Sequence, residues 1–254
     1  MKILLLASHK VGLDVLNYLI NQDEQILALG LPDDKDGDML SDIKKIAHEN
    51  NISSILQGDK KFFEDISYDL ARMNPDIILC VYWPYILKKK CIEIPANGCI
   101  NFHASYLPYN RGKNPNVWPI IHGTPAGITI HYIDEGVDTG SIIAQKEIEV
   151  DIIDDAGSLY FKLVKAFLPL FKEVWPSIKS GHVKKIVQLK NEGSFNHSKD
   201  FKNLDEINLD NDIRPLELIN QIRARTFPNK PGCYFVHNGR KIQVKIELSD
   251  IGVV

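Results

Sequence analysis

Asn101, His103 and Asp138 are the residues whose types and spacing point to chemistry. Asn101 and His103 close an apolar run, Gly98-Cys99-Ile100-Asn101-Phe102, that reads as a buried strand. Loop residues follow at once, Leu107-Pro108-Tyr109-Asn110-Arg111-Gly112. The pair therefore lies at the C-terminal end of a strand, where open α/β sheets place their ligands. Residues two apart on a strand share a face, so an amide and an imidazole stand side by side. A second strand candidate, residues 127–133, runs into the turn-rich loop Asp134-Glu135-Gly136-Val137-Asp138-Thr139-Gly140. That loop can carry Asp138 to His103. An amide donor, a proton acceptor and a carboxylate that orients or charges it suit attack of an amine on a carbonyl, with a negative oxygen to stabilise.

These residues need a sheet edge to hold them, and the preceding chain supplies one. Lys2 to Ala7 is a continuous apolar strand of the kind found at the centre of parallel sheets. Ser8 to Gly12 reads as a loop that leads into a helix over Leu13–Ile20. This is an opening βα unit of a Rossmann-like domain. It lacks G-x-G-x-x-G, so a dinucleotide is not expected. Lys10 is the loop's one fixed cation and a candidate contact for a substrate phosphate. Further strands are expected over Gln25–Leu31 and Asp76–Val81, and helices over Met39–Asn50 and Phe62–Met73. The acidic loop 32–38 lacks the terminal Glu of a calcium site and reads as solvated, so no metal is expected. After the site, Asn114 and Pro115 look like the cap and first residue of a helix whose N-terminus favours an anion. Trp118 reads as core, and His122 and His131 as structural or exposed. Ser141–Val150 alternates as a strand, making a hairpin-like pair around the Asp134–Gly140 loop, and 155–180 is a long amphipathic helix.

The 254 residues suffice for one large α/β domain, 1–180, and a small module, 181–254. The net charge of −3 gives bulk electrostatics no reason to hold nucleic acid. Cys80, Cys91, Cys99 and Cys233 form no C-x-x-C pair and read as buried thiols of a reducing compartment. No segment is long enough to span a membrane, so a cytoplasmic protein is expected. The module begins with a short strand over Lys184–Leu189. It contains a helix over Ile213–Arg223 and a hairpin across Asn238-Gly239.

Asn101-x-His103, the Leu-Pro-x-x-Arg-Gly loop and Asp138 before Thr-Gly resemble the signature of formyltransferases that use N10-formyltetrahydrofolate. The likeness is dense from about Asp76 to Gly140. It implies a Rossmann-like domain with a mostly parallel sheet, plus a small C-terminal α+β module. It implies a folate pocket walled by Tyr82, Trp83, Tyr85 and Leu87, with Asp134, Gly136 and Val137 as further cofactor contacts. Tyr109 and Arg111 become substrate contacts.

The run from Arg111 to Gly123 resembles the sugar-nucleotide branch more than the tRNA branch. So does the tail, Ile222 to Pro228 with Tyr234, in which Arg225 can meet a diphosphate and Phe227 or Tyr234 can stack on a base. Residues 181–254 carry twelve Lys/Arg against nine Asp/Glu, whereas a tRNA-binding tail should be longer and more basic. The implied reaction moves a formyl group to the amine of a nucleotide-linked amino-dideoxy sugar, dTDP-linked by family habit, for surface glycan synthesis. His103 takes the proton, Asn101 steadies the oxygen and Asp138 charges His103, with no metal. Related sugar enzymes pair through the C-terminal region, so a homodimer is expected. The alternatives are a methionyl-tRNA, glycinamide ribonucleotide or hydrolytic folate enzyme, and a non-catalytic folate- or nucleotide-binding module.

Overall fold

Lys2–Ala7 forms strand β1, and every residue after Lys2 is buried, as an uninterrupted apolar run requires at the centre of a sheet. The computed structural model describes residues 1–65, 67–189 and 191–252. After β1 come α1 (His9–Asn21), β2 (Gln25–Pro32), α2 (Leu40–Glu49), β3 (Ile55–Gly58), α3 (Lys60–Asp65), α4 (Ser67–Met73), β4 (Ile77–Val81) and α5 (Lys89–Ile92). The next elements are β5 (Cys99–His103), β6 (Arg111–Gly112), α6 (Trp118–His122), β7 (Gly127–Tyr132), β8 (Ile142–Glu147) and α7 (Ala156–Ser180). The chain closes with β9 (Phe195–Asn196), α8 (Ser198–Asn203), α9 (Pro215–Arg225), β10 (Cys233–His237) and β11 (Arg240–Val244).

Seven strands make one sheet in the order β3-β2-β1-β4-β5-β7-β8. Its pairs from β3 to β5 are parallel and β5–β7 is antiparallel. The fold is the expected Rossmann-like, mostly parallel α/β arrangement, and β10–β11 is the expected antiparallel hairpin. Asn238 and Gly239 at its turn have φ of 48° and 73°, the paired left-handed residues of a type I′ turn.

The chain divides into two compact units that interleave in sequence. One holds Met1–His103, Thr129–Gln145 and Lys165–Gln188; the other holds Ala104–Ile128, Lys146–Val164 and Leu189–Val254. In the first unit, Phe102 of β5 packs against Phe167 and Phe171 of α7, at 5.9 and 5.2 Å between ring centroids. This leaves Asn101 and His103 on the opposite face of the strand. Along its part of α7, Phe167, Phe171 and Trp175 are buried at four-residue intervals, the stripe that binds a helix to a core. The four cysteines are free and buried, and burial pushes their thiols above the ordinary range.

Several elements differ from the sequence reading. Helix α1 starts at His9, so Lys10 lies in its first turn and not in a loop. Gly12 reads as a turn signal but serves close packing, since a Cβ there would lie 3.1 Å from the Ala7 Cβ. No helix starts at Asn114: this residue takes a left-handed φ of 52°, a turn follows, and α6 has only five residues after Val117. The expected anion-favouring helix start is therefore absent. The strand expected over Lys184–Leu189 reduces to a single bridge between Ile186 and Ile142. The edge strand β3, with every residue half-buried, gives no clear alternation to read. The helix expected over Phe62–Met73 is placed as α3 and α4, and position 66 lies outside the described residues.

Candidate active site

Strand register builds the site. Val81 pairs with Phe102 and Ala7 with Val81, so Ser8, Tyr82 and His103 follow one another along the C-terminal edge of the sheet. Asn101 lies opposite His131, and His103 opposite Thr129, across the antiparallel β5–β7 pair. Opposed residues of such a pair share a face, so two polar residues from each strand meet on one side.

Four side chains converge there. The Asp138 Oδ1 lies 3.4 Å from the Asn101 Nδ2, 3.6 Å from the His103 Nδ1 and 3.7 Å from the His131 Nε2. His103 and Asp138 are 9% and 13% exposed, while His131 is 2% exposed. The two imidazole contacts exceed hydrogen-bond length. Asp138 has a left-handed φ of 55°, a conformation seen mostly where surrounding structure imposes it.

His131 fixes the amide. Its Nδ1 lies 2.7 Å from the Tyr132 carbonyl oxygen, which can only accept, so that nitrogen carries the hydrogen. In the neutral ring Nε2 is then an acceptor, and Asn101 Nδ2 donates to it at 3.2 Å. One N–H of Asn101 is thereby held by His131, and the other points toward Asp138. The sequence reading placed His131 among structural or exposed residues. The signal that finds it is Thr129 and His131 alternating with Ile128 and Ile130, the same polar alternation as Asn101 and His103.

The loop that presents Asp138 is braced from within. Asp134 Oδ1 accepts from the Gly136 N–H at 3.0 Å and from the Thr139 hydroxyl at 2.6 Å. A Cβ on Gly136 would lie 2.0 Å from Thr139 Oγ1, and one on Gly140 would lie 1.8 Å from the Tyr132 carbonyl oxygen. Val137 at the tip is exposed.

The aromatic run after β4 divides its roles. Tyr82, with a left-handed φ of 54°, packs on the rings of His9 and Phe167. Trp83 packs edge-on to Phe63 and Tyr85, at 4.6 and 5.3 Å. Its indole Nε1 is buried with no hydrogen-bond partner among the described residues. The Tyr85 hydroxyl donates to Asp36 Oδ2 at 2.8 Å and accepts from the Asp33 N–H at 3.1 Å. Burial above all, together with the Asp36 and Asp33 carboxylates, pushes this hydroxyl up to about 12. Leu87 belongs to the core with Leu4, Leu6 and Cys80. Lys10 forms an ion pair with Asp14 one helical turn on.

The remaining candidates fall in the second unit. Arg111 is buried in β6, and Tyr109 is partly exposed. The Arg225 guanidinium is paired with Asp205 and lies 4.0 Å over the Phe201 ring. Phe227 packs on Tyr160 and Phe161. The Tyr234 hydroxyl donates to Glu206 Oε2 at 3.0 Å, and Lys241 Nζ lies 4.2 Å over its ring. Among the described residues, no group of three or more His, Cys, Asp or Glu is placed to hold a metal ion, and no helix is long and apolar enough to cross a membrane.

The family model described as formyl transferase matches residues 1–172. The chain belongs to that family. A second model, the N-formyltransferase dimerization C-terminal domain, matches residues 200–250. The formyl transferase fold extends to solved structures. A 4-N formyltransferase from Francisella tularensis is 30% identical at a TM-score of 0.82, covering 98% of both chains. The formyltransferase PseJ from Anoxybacillus kamchatkensis, in complex with UDP-4,6-dideoxy-4-formamido-L-AltNAc and tetrahydrofolate, is 30% identical at a TM-score of 0.58, covering 80% of this chain and 89% of its own. Among curated relatives, the methionyl-tRNA formyltransferase of Clostridioides difficile is 34% identical over 204 residues, 77% of this chain. That match spans 65% of the relative's length.

Proposed function

We propose that this protein transfers a formyl group from N10-formyltetrahydrofolate to the amine of a nucleotide-linked amino-dideoxy sugar. The observation that carries the transfer chemistry is the convergence of Asn101, His103 and His131 on one oxygen of Asp138 at the C-terminal edge of the sheet. The residues suit a folate. The turn after β4 offers aromatic faces, and the buried, unpartnered indole N–H of Trp83 can donate to an acceptor on a flat heterocycle. Asp134, Gly136 and Val137 are the other candidate contacts. The folate supplies a formyl group already activated by its arylamine nitrogen, so no metal enters the scheme.

The chain's own residues then divide the work. Asn101, with one N–H held by His131, turns the other from Asp138 to the oxygen on which negative charge develops. His103, as a neutral imidazole, takes the proton of the amine as its nitrogen bonds to the formyl carbon, and that proton passes to N10 as the C–N10 bond breaks and tetrahydrofolate leaves. Asp138 orients His103 and stabilises its charged form.

The acceptor class rests on different support. The likeness to PseJ, solved with a UDP-linked formamido sugar and tetrahydrofolate, favours a nucleotide sugar, and the dimerization-domain match over residues 200–250 favours a homodimer. Residues 1–180 would carry the transfer and 181–254 the recognition of the nucleotide, in a cytoplasmic enzyme. Arg111 and Tyr109 are acceptor contacts in this reading. Arg225 would have to leave Asp205 to meet a diphosphate, and a base stacking on Phe227 or Tyr234 would share the ring with Tyr160 and Phe161 or with Lys241. A methionyl-tRNA acceptor is the second reading, favoured by the 34% identity to the Clostridioides difficile enzyme.

Tetrahydrofolate release, followed by absorbance across a panel of acceptors, separates them. The panel holds dTDP-, UDP- and GDP-linked 3- and 4-amino-dideoxy sugars, methionyl-tRNA, glycinamide ribonucleotide and water. Turnover with one nucleotide sugar is expected. Turnover only with tRNA or only with water discards the acceptor assignment and leaves the transfer site standing.

A further inference from the structure

The nine residues 133–141 that join β7 to β8 carry Asp138; at their ends the Ile133 N–H donates to Cys99 O at 2.8 Å and Ser141 O accepts from the Tyr132 N–H at 2.9 Å. Two of their carbonyls, those of Asp138 and Gly140, are taken by one side chain. Gln188 Nε2 donates to Asp138 O at 3.0 Å and to Gly140 O at 2.7 Å. A primary amide has two N–H donors, so both of them go to the main chain on either side of Thr139. The segment around Gln188 is itself anchored to the same pair of strands. Ile186 exchanges both backbone hydrogen bonds with Ile142, at 2.8 and 2.9 Å, and Lys185 Nζ lies 4.3 Å over the Tyr132 ring. Ile186 and Val187 are themselves 51% and 72% exposed, so the segment adds little to the core and much to the loop.

We propose that Gln188 is a positioning residue for formyl transfer. It splints the turn at Thr139, holds Asp138 in its left-handed conformation and so keeps the Asp138 carboxylate aimed at Asn101, His103 and His131. The inference rests on the reading of Asp138 as the site carboxylate. The physical need is plain. A left-handed φ of 55° is uncommon even for Asp, so contacts on the turn help to hold it, and a carboxylate displaced by an ångström orients an imidazole poorly. Gly140 cannot hold the loop by side-chain packing. It supplies close approach to the Tyr132 carbonyl instead, and the outer side of the turn is left to Gln188.

The test uses the full chain, N10-formyltetrahydrofolate and a dTDP-linked 4-amino-dideoxy sugar. Gln188→Glu keeps the shape but turns the donor into an acceptor facing two carbonyls. Its kcat, per folded molecule, should fall about 10- to 100-fold while the KM of the amino sugar stays within about two-fold. Gln188→Arg, which restores paired donors, should recover part of the loss, and Val187→Ser should lose nothing. The double variant Gln188→Glu with Asp138→Asn should be no slower than Asp138→Asn alone, because Gln188 acts through that carboxylate. Amide hydrogen exchange over residues 133–141, which needs no acceptor, should rise in Gln188→Glu and not in Val187→Ser. Unchanged turnover and exchange in Gln188→Glu would overturn the inference while leaving the function standing, as would additive losses in the double variant. Near-wild-type turnover by Asp138→Asn would instead sink the assigned role of Asp138, and the splint with it.

Discussion

Two buried polar clusters, one in each unit, are built from similar side chains and held very differently. Around Asp138, three nitrogens share one carboxylate oxygen at 3.4 to 3.7 Å. Around Asp154 every distance is short. Its carboxylate takes Lys162 Nζ at 2.6 Å, the Ser158 hydroxyl at 2.8 Å and the Asp151 N–H at 2.8 Å. Beside it, Arg223 Nη1 donates to the carbonyls of Asp151, Ile152 and Asp154 at 2.8 to 3.1 Å, and Nε to Asn220 Oδ1 at 2.9 Å. Short, reciprocal contacts around buried charge consume its hydrogen-bonding capacity and yield stability. The contacts to Asp138 Oδ1 are longer, and they gather an amide and two imidazoles on one atom. The first pattern suits a clasp; the second is the cluster we propose as the transfer site.

The sharpest break of that contrast comes from Asn101. Asn101→Ala should fold with little change in melting temperature yet lose about 100- to 1,000-fold in kcat, as removal of one oxyanion donor does. A large fall in stability with turnover kept would reverse the assignment. His131 tests the same cluster one step back. His131→Ala removes the acceptor that orients the Asn101 amide, and kcat should fall about 10-fold with the KM of the acceptor substrate unmoved.

The clasp should respond the opposite way. Arg223→Ala leaves the carbonyls of Asp151, Ile152 and Asp154, of which only the last bond is buried, without their donor and should cost about 2 kcal/mol, a fall in Tm of several degrees by calorimetry. Turnover per folded molecule should be kept.

The smallest effect is Asp154→Asn. Burial alone would raise this carboxyl, but Lys162, Ser158 and the Asp151 N–H more than offset it and hold the carboxyl below the ordinary range. A depressed carboxyl contributes stability above its unfolded pKa of about 3.9 and loses it as pH falls through the lower folded value. Because Lys162 is 44% exposed, solvent screening limits the contribution to about 1 kcal/mol. Wild type should exceed Asp154→Asn by that amount near neutrality, and the two should converge below pH ~4 in urea titrations.

Much of this was legible in the sequence. Continuous apolar runs announce β1 and β4, because a strand buried on both faces has no reason to alternate. Asn-Gly announces the β10–β11 turn, because both residues tolerate positive φ. The spacing of Asn101 and His103 puts both on one face of one strand, which needs only the period of two. What the sequence could not decide is which strand lies beside which, and in what direction. The antiparallel β5–β7 register brings His131 opposite Asn101, and no local propensity encodes a pairing between residues thirty positions apart. The same limit hid the role of Gln188. It sits in a stretch that reads as the opening strand of a small module, and its two donors find their carbonyls only once Ile186 has docked on Ile142. Arg225 shows the converse. An arginine beside aromatic residues reads as a phosphate contact, until the fold supplies Asp205 as its partner. Local chemistry follows from residue type and spacing. Which groups satisfy one another is settled by long-range packing, and that packing separates the proposed site from the clasp.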